Sequence, residues 1–186
     1  MLTLIAAALV LTPQKPGDVA PYKPNGPVIE VRMEKGGSFD ITTDPVNSPL
    51  TVKHILGLVK SHFYDKQRIH RVEFWVTQWG APASKSGPMM VKGKDGKMEV
   101  SEKVGDGGSG KNIAKFEAAK NVDYVRGMVG IASEGLQLPG DSQLFVLKKD
   151  AMRLYMSYAV VGKVTKGMEV VDGIKFGDRI KSMRVK

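Results

Sequence analysis

The stretch RIHRVEFWVTQWG, residues 68–80, places isolated polar side chains among residues that favour strands. Its β-branched and aromatic residues predict short strands at 68–72 and 74–78. Arg71 carries a permanent positive charge in the first segment, and Gln78 brings an amide into the second. These two side chains lie either on a solvated strand edge or on the floor of a binding site, and this stretch alone leaves both explanations open.

Further strand patterns occur on both sides of this stretch. Alternating apolar residues predict strands at 28–33 and 38–43, joined as a hairpin by the turn sequence EKGG. Later segments with the same character are expected as strands at 127–133, 143–147, 158–164 and 178–185. Together these patterns predict seven or eight short antiparallel strands.

Two helices interrupt the strand pattern. The first is expected to follow Ser48 as its N-cap, to begin with Pro49 and to end near His62. Its apolar residues recur at helical spacing and form one apolar face. A shorter helix is expected at 167–175. Many antiparallel strands with few crossover helices indicate a mainly β protein, either a barrel or a sandwich with helices at its ends.

The composition is that of a globular domain whose stability depends on neither disulfides nor a structural metal ion. The chain has 186 residues, of which 42% are hydrophobic and 25% charged, and this suits one domain. It has no cysteine, which excludes disulfides and thiolate metal sites. The net charge of +9 comes from basic residues that are scattered among acidic ones. We interpret them as a solvated basic surface and expect no nucleic acid partner.

The N-terminal residues have the character of an export signal followed by a linker. Residues 2–11 form an apolar run of signal-peptide length that is too short to span a bilayer. We expect a signal peptide at 1–14, a Pro/Gly-rich linker at 15–26 and the folded domain at 27–186, with no membrane span in the mature protein. No Lys or Arg precedes the apolar run and no clear cleavage site follows it. An N-terminal helix and a start codon assigned too late are therefore the alternatives.

The span 83–104 is expected to be an insertion into this domain. It belongs to a longer region, 81–112, that is rich in Gly, Lys, Ser and Asp and shows no sustained periodicity. The sequence GDGGSGKN at 105–112 lacks the terminal Lys-Ser/Thr pair of a phosphate-binding loop. Since the insertion has little apolar surface to bury, we predict a mobile surface loop that folding does not require.

Residues for hydrolytic, redox or metal chemistry are sparse. His54, His62 and His70 lack the spacing of metal ligands, and no serine or cysteine nucleophile motif accompanies them. Acidic residues are dispersed, so no catalytic carboxylate pair stands out. We therefore expect no cofactor and no metal, and a function that needs only arginine, amides, hydroxyls and apolar surface. Rotation about an Xaa-Pro peptide bond is such a reaction, since no covalent intermediate is needed.

Seven segments, in order along the chain, resemble motifs of the cyclophilins, which are peptidyl-prolyl cis–trans isomerases. IHRV (69–72) is similar to the family's FHRV, whose arginine is catalytic, and WVTQWGAP (75–82) is similar to FMIQGGDP. GMVGIASEG (127–135) resembles GTVSMARAG, and DSQLF (141–145) resembles GSQFF. The remaining segments are SPLTVKHILGLVKSHFYD (48–65), YAVVGKVTKGMEVVDGI (158–174) and the closing GDRIKSMRV. This resemblance implies an eight-stranded antiparallel β-barrel capped by two α-helices.

The resemblance also implies roles for individual residues. Arg71 would be the catalytic cation, Gln78 would bind the substrate backbone, and Gln143 would support the neighbouring peptide and the arginine. The proline pocket would be formed or lined by Trp75, Val76, Phe145, Leu154 and Tyr158.

The chain departs from the family pattern at the rim of this pocket. The stretch between the arginine and the glutamine is one residue shorter, so either Phe74 or Trp75 can fill the aromatic position. We favour Trp75, counting back from the glutamine. Ser133 is also assigned to substrate binding, although it stands where asparagine or arginine is usual, and Arg153 stands where many members have tryptophan or histidine.

Three functions follow from the sequence. The first is an exported, monomeric peptidyl-prolyl isomerase that acts on proline-containing polypeptides, and the retained Arg71 favours it. The second is a cyclophilin-like module that binds such peptides with little catalysis, and the altered rim favours this one. The third is a protein that uses its basic face to bind acidic surfaces.

Overall fold

A computed structural model describes residues 21–186 of the chain. The described residues form ten β-strands and two α-helices. The strands are β1 Val28–Met33, β2 Ser38–Thr43, β3 Arg71–Val72, β4 Val76–Trp79, β5 Met90–Lys92, β6 Met98–Val100, β7 Met128–Ile131, β8 Leu144–Leu147, β9 Val160–Lys166 and β10 Ile180–Val185. The helices are α1 Pro49–Lys60 and α2 Met168–Asp172.

Eight of these strands form one antiparallel sheet in the order β10-β1-β2-β9-β7-β8-β4-β3. The sheet curls so that the segment before β3 meets the start of β10. The Ile69 N–H donates to the Asp178 carbonyl at 2.8 Å, and the Ile180 N–H donates to the Gln67 carbonyl at 2.9 Å. The predicted mainly β architecture, with an eight-stranded antiparallel barrel and two helices, is confirmed.

Side chains alternate between two apolar clusters on the two faces of the sheet. In β8, Leu144 and Val146 belong to the larger cluster, whereas Phe145 and Leu147 belong to the smaller one. Successive side chains of a strand point to opposite faces, and all four residues are buried, so both faces are covered here. The larger cluster, the main core, joins the sheet to both helices. The smaller one, the outer cluster, occupies the opposite face.

Helix α1 is capped by a distant loop. Pro49 lies in its first turn as expected, but Ser48 makes no side-chain capping bond, and its Oγ is buried without a partner. The carboxylate of Glu117 instead accepts hydrogen bonds from the Leu50 N–H at 3.0 Å, the Thr51 N–H at 2.8 Å and the Thr51 hydroxyl at 2.8 Å. A carboxylate at this position satisfies free N–H groups and complements the helix dipole. Ser48 is thus the N-cap residue, as predicted, but Glu117 makes the capping hydrogen bonds that its side chain does not.

The strands of the 68–80 stretch are shorter than predicted. Only Arg71–Val72 and Val76–Trp79 are strands. Between them the Glu73 N–H donates to the Val76 carbonyl at 2.8 Å across a tight turn. Residues 74 and 75 lie in this turn, so the strand predicted at 74–78 starts later.

The insertion carries a small sheet of its own. β5 and β6 pair as a separate hairpin, which the sequence did not reveal because each strand has only three, mostly exposed residues. The ends of the insertion are tied to the domain: Ser84, Ser101 and Val104 are buried, and Arg68 Nε donates to the Ser84 carbonyl at 2.6 Å. The mobility and dispensability of the insertion at 83–104 stay predictions.

The predicted signal peptide at 1–14 and the first half of the predicted linker at 15–26 lie outside the described residues. Tyr22, near the end of that linker, packs against the outer cluster, and its hydroxyl donates to the Asp44 carboxylate at 2.8 Å. Within residues 21–186, neither helix combines the length and the apolar character needed to cross a bilayer.

Candidate active site

Arg71, Gln78 and Phe145 lie in one row across three neighbouring strands. Arg71 on β3 is directly opposite Gln78 on β4, and Gln78 is directly opposite Phe145 on β8. The row continues to Gly130 on β7, which pairs with Phe145. Directly paired residues project from the same face of a sheet. A cation, an amide and an aromatic ring therefore stand side by side.

A chain of hydrogen bonds begins at this row and runs in one direction. Arg71 Nη1 donates to Gln78 Oε1 at 3.3 Å, and Gln78 Nε2 donates to Gln143 Oε1 at 2.8 Å. Gln143 Nε2 donates in turn to the carbonyls of Gly105 at 2.8 Å and Gly107 at 3.1 Å. Each amide is thereby held in one orientation, and the guanidinium of Arg71 is braced against the loop that carries the two glycines.

The apolar residues that are predicted to form the proline pocket pack together next to this chain. Phe145 and Val76 are buried members of the outer cluster, and Leu154 and Tyr158 are partly buried against it. The rings of Phe145 and Tyr158 meet edge to face, with 5.5 Å between centroids and 77° between planes. Val76 is only 1% exposed and supports the pocket from beneath. Leu154 and Tyr158 keep exposed surface and form its sides.

Trp75, and not Phe74, lies beside this pocket. Trp75 is partly buried against the outer cluster, whereas Phe74 is 77% exposed. The guanidinium carbon of Arg153 lies 4.3 Å from the centroid of the Trp75 ring, and that of Arg71 lies 5.6 Å from it. Both distances suit cation–π contacts. The tryptophan thus forms a rim between two arginines.

Comparison with known proteins identifies the family. Residues 28–186 match the family model described as cyclophilin type peptidyl-prolyl cis-trans isomerase/CLD. The chain belongs to the cyclophilin family. A Brucella abortus protein named "Probable peptidyl-prolyl cis-trans isomerase" is 35% identical over 82% of this chain and 74% of its own length. Peptidyl-prolyl cis-trans isomerase B of Bacillus subtilis is 27% identical over 82% of this chain and 94% of its own length.

Solved cyclophilin structures share the fold. A cyclophilin type peptidyl-prolyl cis-trans isomerase of Cryptosporidium parvum superposes with a TM-score of 0.67, at 18% identity, over 87% of this chain and 98% of its own. That protein was also solved in the presence of the dipeptide ala-pro, and this structure superposes with a TM-score of 0.65 at 17% identity, over 86% and 98% of the two chains. The sequence-based identification of the family is confirmed, and family membership with the relatives' names indicates isomerase activity.

Glu73 is a residue of this cyclophilin's site that sequence reasoning missed. Its Oε1 accepts a hydrogen bond from Arg71 Nε at 2.7 Å, and its Oε2 accepts one from Trp75 Nε1 at 2.7 Å. The pKa of Glu73 lies below its ordinary value, chiefly because of the hydrogen bond from Arg71. Strand periodicity could not have found it, because Glu73 and Trp75 lie in the turn between β3 and β4 and not in a strand.

Gly130 was also missed. The ring of Phe145 lies against the backbone at this position, where a side chain would collide with it. The available signal was a glycine inside a predicted strand, which often marks the close approach of another group.

His70 is an uncharged neighbour of the site at neutral pH. It is 8% exposed, and its pKa is lowered to about 4 because burial disfavours the charged ring. A hydrogen bond with Gln143 acts in the opposite direction, while the charge of Arg71 lowers the pKa further. His70 therefore packs behind the chain of amides as a neutral imidazole.

A cavity of about 770 Å³ lies beside these residues and is lined by Gln78 and Gln143. Ser133 lines this cavity and not the apolar pocket, and its hydroxyl donates to the Gly135 carbonyl at 2.7 Å. The structure thus brings Ser133 into one cavity with two other predicted site residues, Gln78 and Gln143. The residues that line the cavity include no lysine or arginine among those described, and its acidic residues are Asp106, Glu134 and Asp141.

Proposed function

We propose that this cyclophilin accelerates cis–trans rotation about Xaa-Pro bonds in proline-containing polypeptides. The observation that carries the proposal is the strand pairing of Arg71 with Gln78 and of Gln78 with Phe145. It sets a permanent cation and an amide at the edge of an apolar pocket that can take a proline ring.

The reaction needs a donor that recognises a twisted peptide bond. Resonance gives the C–N bond partial double-bond character and a rotation barrier of about 18–20 kcal/mol. As the bond twists, the lone pair of the prolyl nitrogen leaves the conjugated system and becomes an acceptor. An Arg71 N–H that donates to this nitrogen stabilises the twisted form more than either planar form, and this difference lowers the barrier. No proton is transferred, so a permanently charged guanidinium is suitable.

The neighbouring residues hold the peptide while the bond rotates. Rotation about one bond requires that the chain on one side of it be held, since otherwise the whole peptide turns. Phe145 supplies an apolar surface for the proline ring, and Tyr158 flanks it. The amides of Gln78 and Gln143 lie between this pocket and the neighbouring cavity, where they can bond the peptide backbone.

A peptide-binding module with little catalysis is the second candidate. The observation that favours it is the ion pair between Arg71 and Glu73. Glu73 Oε1 lies 2.7 Å from Arg71 Nε and 2.6 Å from Arg71 Nη2. N–H groups of Arg71 that already donate to a carboxylate are less available to donate to a prolyl nitrogen. Peptide affinity would then persist without acceleration.

NMR exchange spectroscopy on a short Xaa-Pro peptide separates the two candidates. Uncatalysed exchange takes about tens to hundreds of seconds, so acceleration is directly visible. We expect the unmodified protein to accelerate exchange, and Arg71→Ala to lose about 10²–10³-fold in turnover with a far smaller change in peptide affinity. Arg71→Lys should stay slow, because an ammonium lacks the planar fork of a guanidinium.

Two results would contradict the isomerase. Peptide binding by the unmodified protein without acceleration would establish the binding module. Equal activity of Arg71→Ala and the unmodified protein would exclude Arg71 as the catalytic residue. Circular dichroism must show that the variant is folded, because Arg71 also bonds Gln78.

We also propose that the protein is exported and loses residues 1–14 as a signal peptide. The apolar run at 2–11 and the Pro/Gly-rich segment after it support this proposal. Mass spectrometry of the protein recovered from the envelope or the medium should show a chain without Met1. An intact Met1 on protein from a cytoplasmic fraction would contradict export.

A further inference from the structure

We propose that Glu73 is a positioning residue that holds the guanidinium of Arg71 in the orientation needed to reach the prolyl nitrogen. This role rests on the proposed function, because the orientation matters only if Arg71 donates to a twisting Xaa-Pro bond. Glu73 lies in the turn between β3 and β4, two residues from Arg71 and two from Trp75.

Both carboxylate oxygens of Glu73 are engaged. Oε1 accepts from Arg71 Nε at 2.7 Å and lies 2.6 Å from Arg71 Nη2. Oε2 accepts from the indole Nε1 of Trp75 at 2.7 Å. The carboxylate therefore bridges the arginine to the tryptophan, whose ring is partly buried against the outer cluster. Arg71 is anchored to the fold through this bridge as well as through Gln78.

These bonds leave two donors of the guanidinium for a substrate. A guanidinium has five N–H donors in one plane. Glu73 engages a donor on Nε and another on Nη2, and Gln78 engages one on Nη1. One N–H on Nη1 and one on Nη2 are left for a substrate. Because the Nε edge is held, the plane of the guanidinium is fixed, and the remaining donors keep one orientation relative to the strands.

Stability alone is a poor explanation for this ion pair. The side chains of Arg71 and Glu73 are 45% and 40% exposed, and an exposed pair of this kind typically contributes little to stability. Holding a long side chain in one rotamer also costs conformational entropy. An arginine that is already held when the peptide binds does not lose this freedom during the reaction. The pair should consequently matter more for turnover than for unfolding.

The carboxylate is ionised in the folded protein at neutral pH. Its pKa is lowered first by the hydrogen bond from Arg71, and also by the hydrogen bond from Trp75 and the charge of Arg153, while partial burial acts in the opposite direction. The contact with Arg71 is therefore present under ordinary assay conditions.

Glu73→Gln tests the role, because it removes the charge and keeps the size of the side chain. We expect turnover of an Xaa-Pro peptide to fall about tenfold, with KM changed less than about twofold. The matched control is Glu30→Gln. Glu30 Oε2 accepts from Arg32 Nε at 2.6 Å, again two residues away, but on β1, outside the strands that carry the site. Turnover by this control should equal that of the unmodified protein.

An NMR readout reports on the contact itself. The Nε–H of Arg71 should exchange slowly with water in the unmodified protein, since its hydrogen bond to Glu73 protects it. In Glu73→Gln this exchange should become fast, whereas in Glu30→Gln it should stay slow. A merely structural effect of the substitution would not change the exchange of this one proton selectively.

The possible outcomes separate this role from the proposed function. Full turnover by Glu73→Gln would overturn the positioning role alone. Turnover above that of the unmodified protein would also overturn it, and would show that Glu73 competes with the substrate for Arg71. Equal losses in Glu73→Gln and Glu30→Gln would indicate a general effect of charge and overturn it too. A lack of acceleration by the unmodified protein would overturn the proposed function, and this role with it.

Discussion

The aromatic ring of Phe145 lies directly over Gly130, its partner on the neighbouring strand β7. A Cβ atom on residue 130 would stand 2.4 Å from Phe145 Cζ and 2.8 Å from Phe145 Cε1. Such distances are far inside van der Waals contact. The floor of the apolar pocket has its present shape because residue 130 has no side chain.

We expect Gly130→Ala to push the Phe145 ring into the pocket. Overpacking of this kind costs about 1–3 kcal/mol of stability, and the displaced ring should lower kcat/KM for an Xaa-Pro peptide by about tenfold or more. NMR exchange spectroscopy and thermal unfolding measure the two effects. The control is Gly57→Ala on helix α1, where an added Cβ meets nothing within 4 Å and activity should not change. Unchanged activity in Gly130→Ala would show that the ring is not the pocket floor.

His70 should make the stability of the fold depend on pH. Its pKa is lowered to about 4 in the folded protein and returns to its ordinary value near 6.5 on unfolding, so the unfolded chain binds more protons between these values. Its contribution to stability is complete above about pH 6.5 and is lost as the pH falls toward 4. We expect the free energy of unfolding to drop by about 2 kcal/mol between pH 7 and pH 5 on this account.

Urea unfolding of His70→Gln at several pH values checks this expectation. The variant has no imidazole at this position, so its stability should change less over the same pH range than that of the unmodified protein. Parallel pH curves for the unmodified protein and His70→Gln would rule out His70 as the source.

Glu117 should stabilise helix α1 from outside the helix. It is 8% exposed and accepts hydrogen bonds from two backbone N–H groups and one hydroxyl. Glu117→Ala leaves these donors unpaired, so we expect the free energy of unfolding to fall by about 2–3 kcal/mol, as measured in urea. Glu99→Ala, in the exposed strand β6, should change it by less than about 0.5 kcal/mol. Similar effects of the two substitutions would mean that the cap contributes little.

The β5–β6 hairpin should be dispensable for folding. Its exposed apolar residues bury little surface against the domain. The Ser101 N–H donates to the Met89 carbonyl at 3.0 Å, so a short Gly-Ser link can replace residues 90–100 without moving the buried ends of the insertion. We expect a change in unfolding free energy within about 0.5–1 kcal/mol. A cooperative loss of the fold would show that the hairpin belongs to the core.

The principal site residues could be named from the sequence because the family motifs carry them in order. The structure joins Arg71, Gln78 and Phe145 by strand pairing, and Gln143 by a hydrogen bond from Gln78. Ser133 lines the neighbouring cavity together with Gln78 and Gln143, with its hydroxyl turned to the Gly135 carbonyl, and its role in substrate binding stays a prediction. A motif position identifies a residue, but the local path of a loop decides where its side chain lies.

Apolar periodicity and motif order are local properties of the chain, and they sufficed to determine the family, the antiparallel sheet with two helices and the residues Arg71 and Gln78. Only the tertiary structure decided that Glu117, 67 residues from Leu50, caps α1, and that Phe145 lies over Gly130. These contacts depend on strand register and on the curl of the sheet, which no short window of sequence encodes. Glu73 is close in sequence to Arg71, yet its role also required the structure, because the tight turn at residues 73–76 sets the direction of its carboxylate.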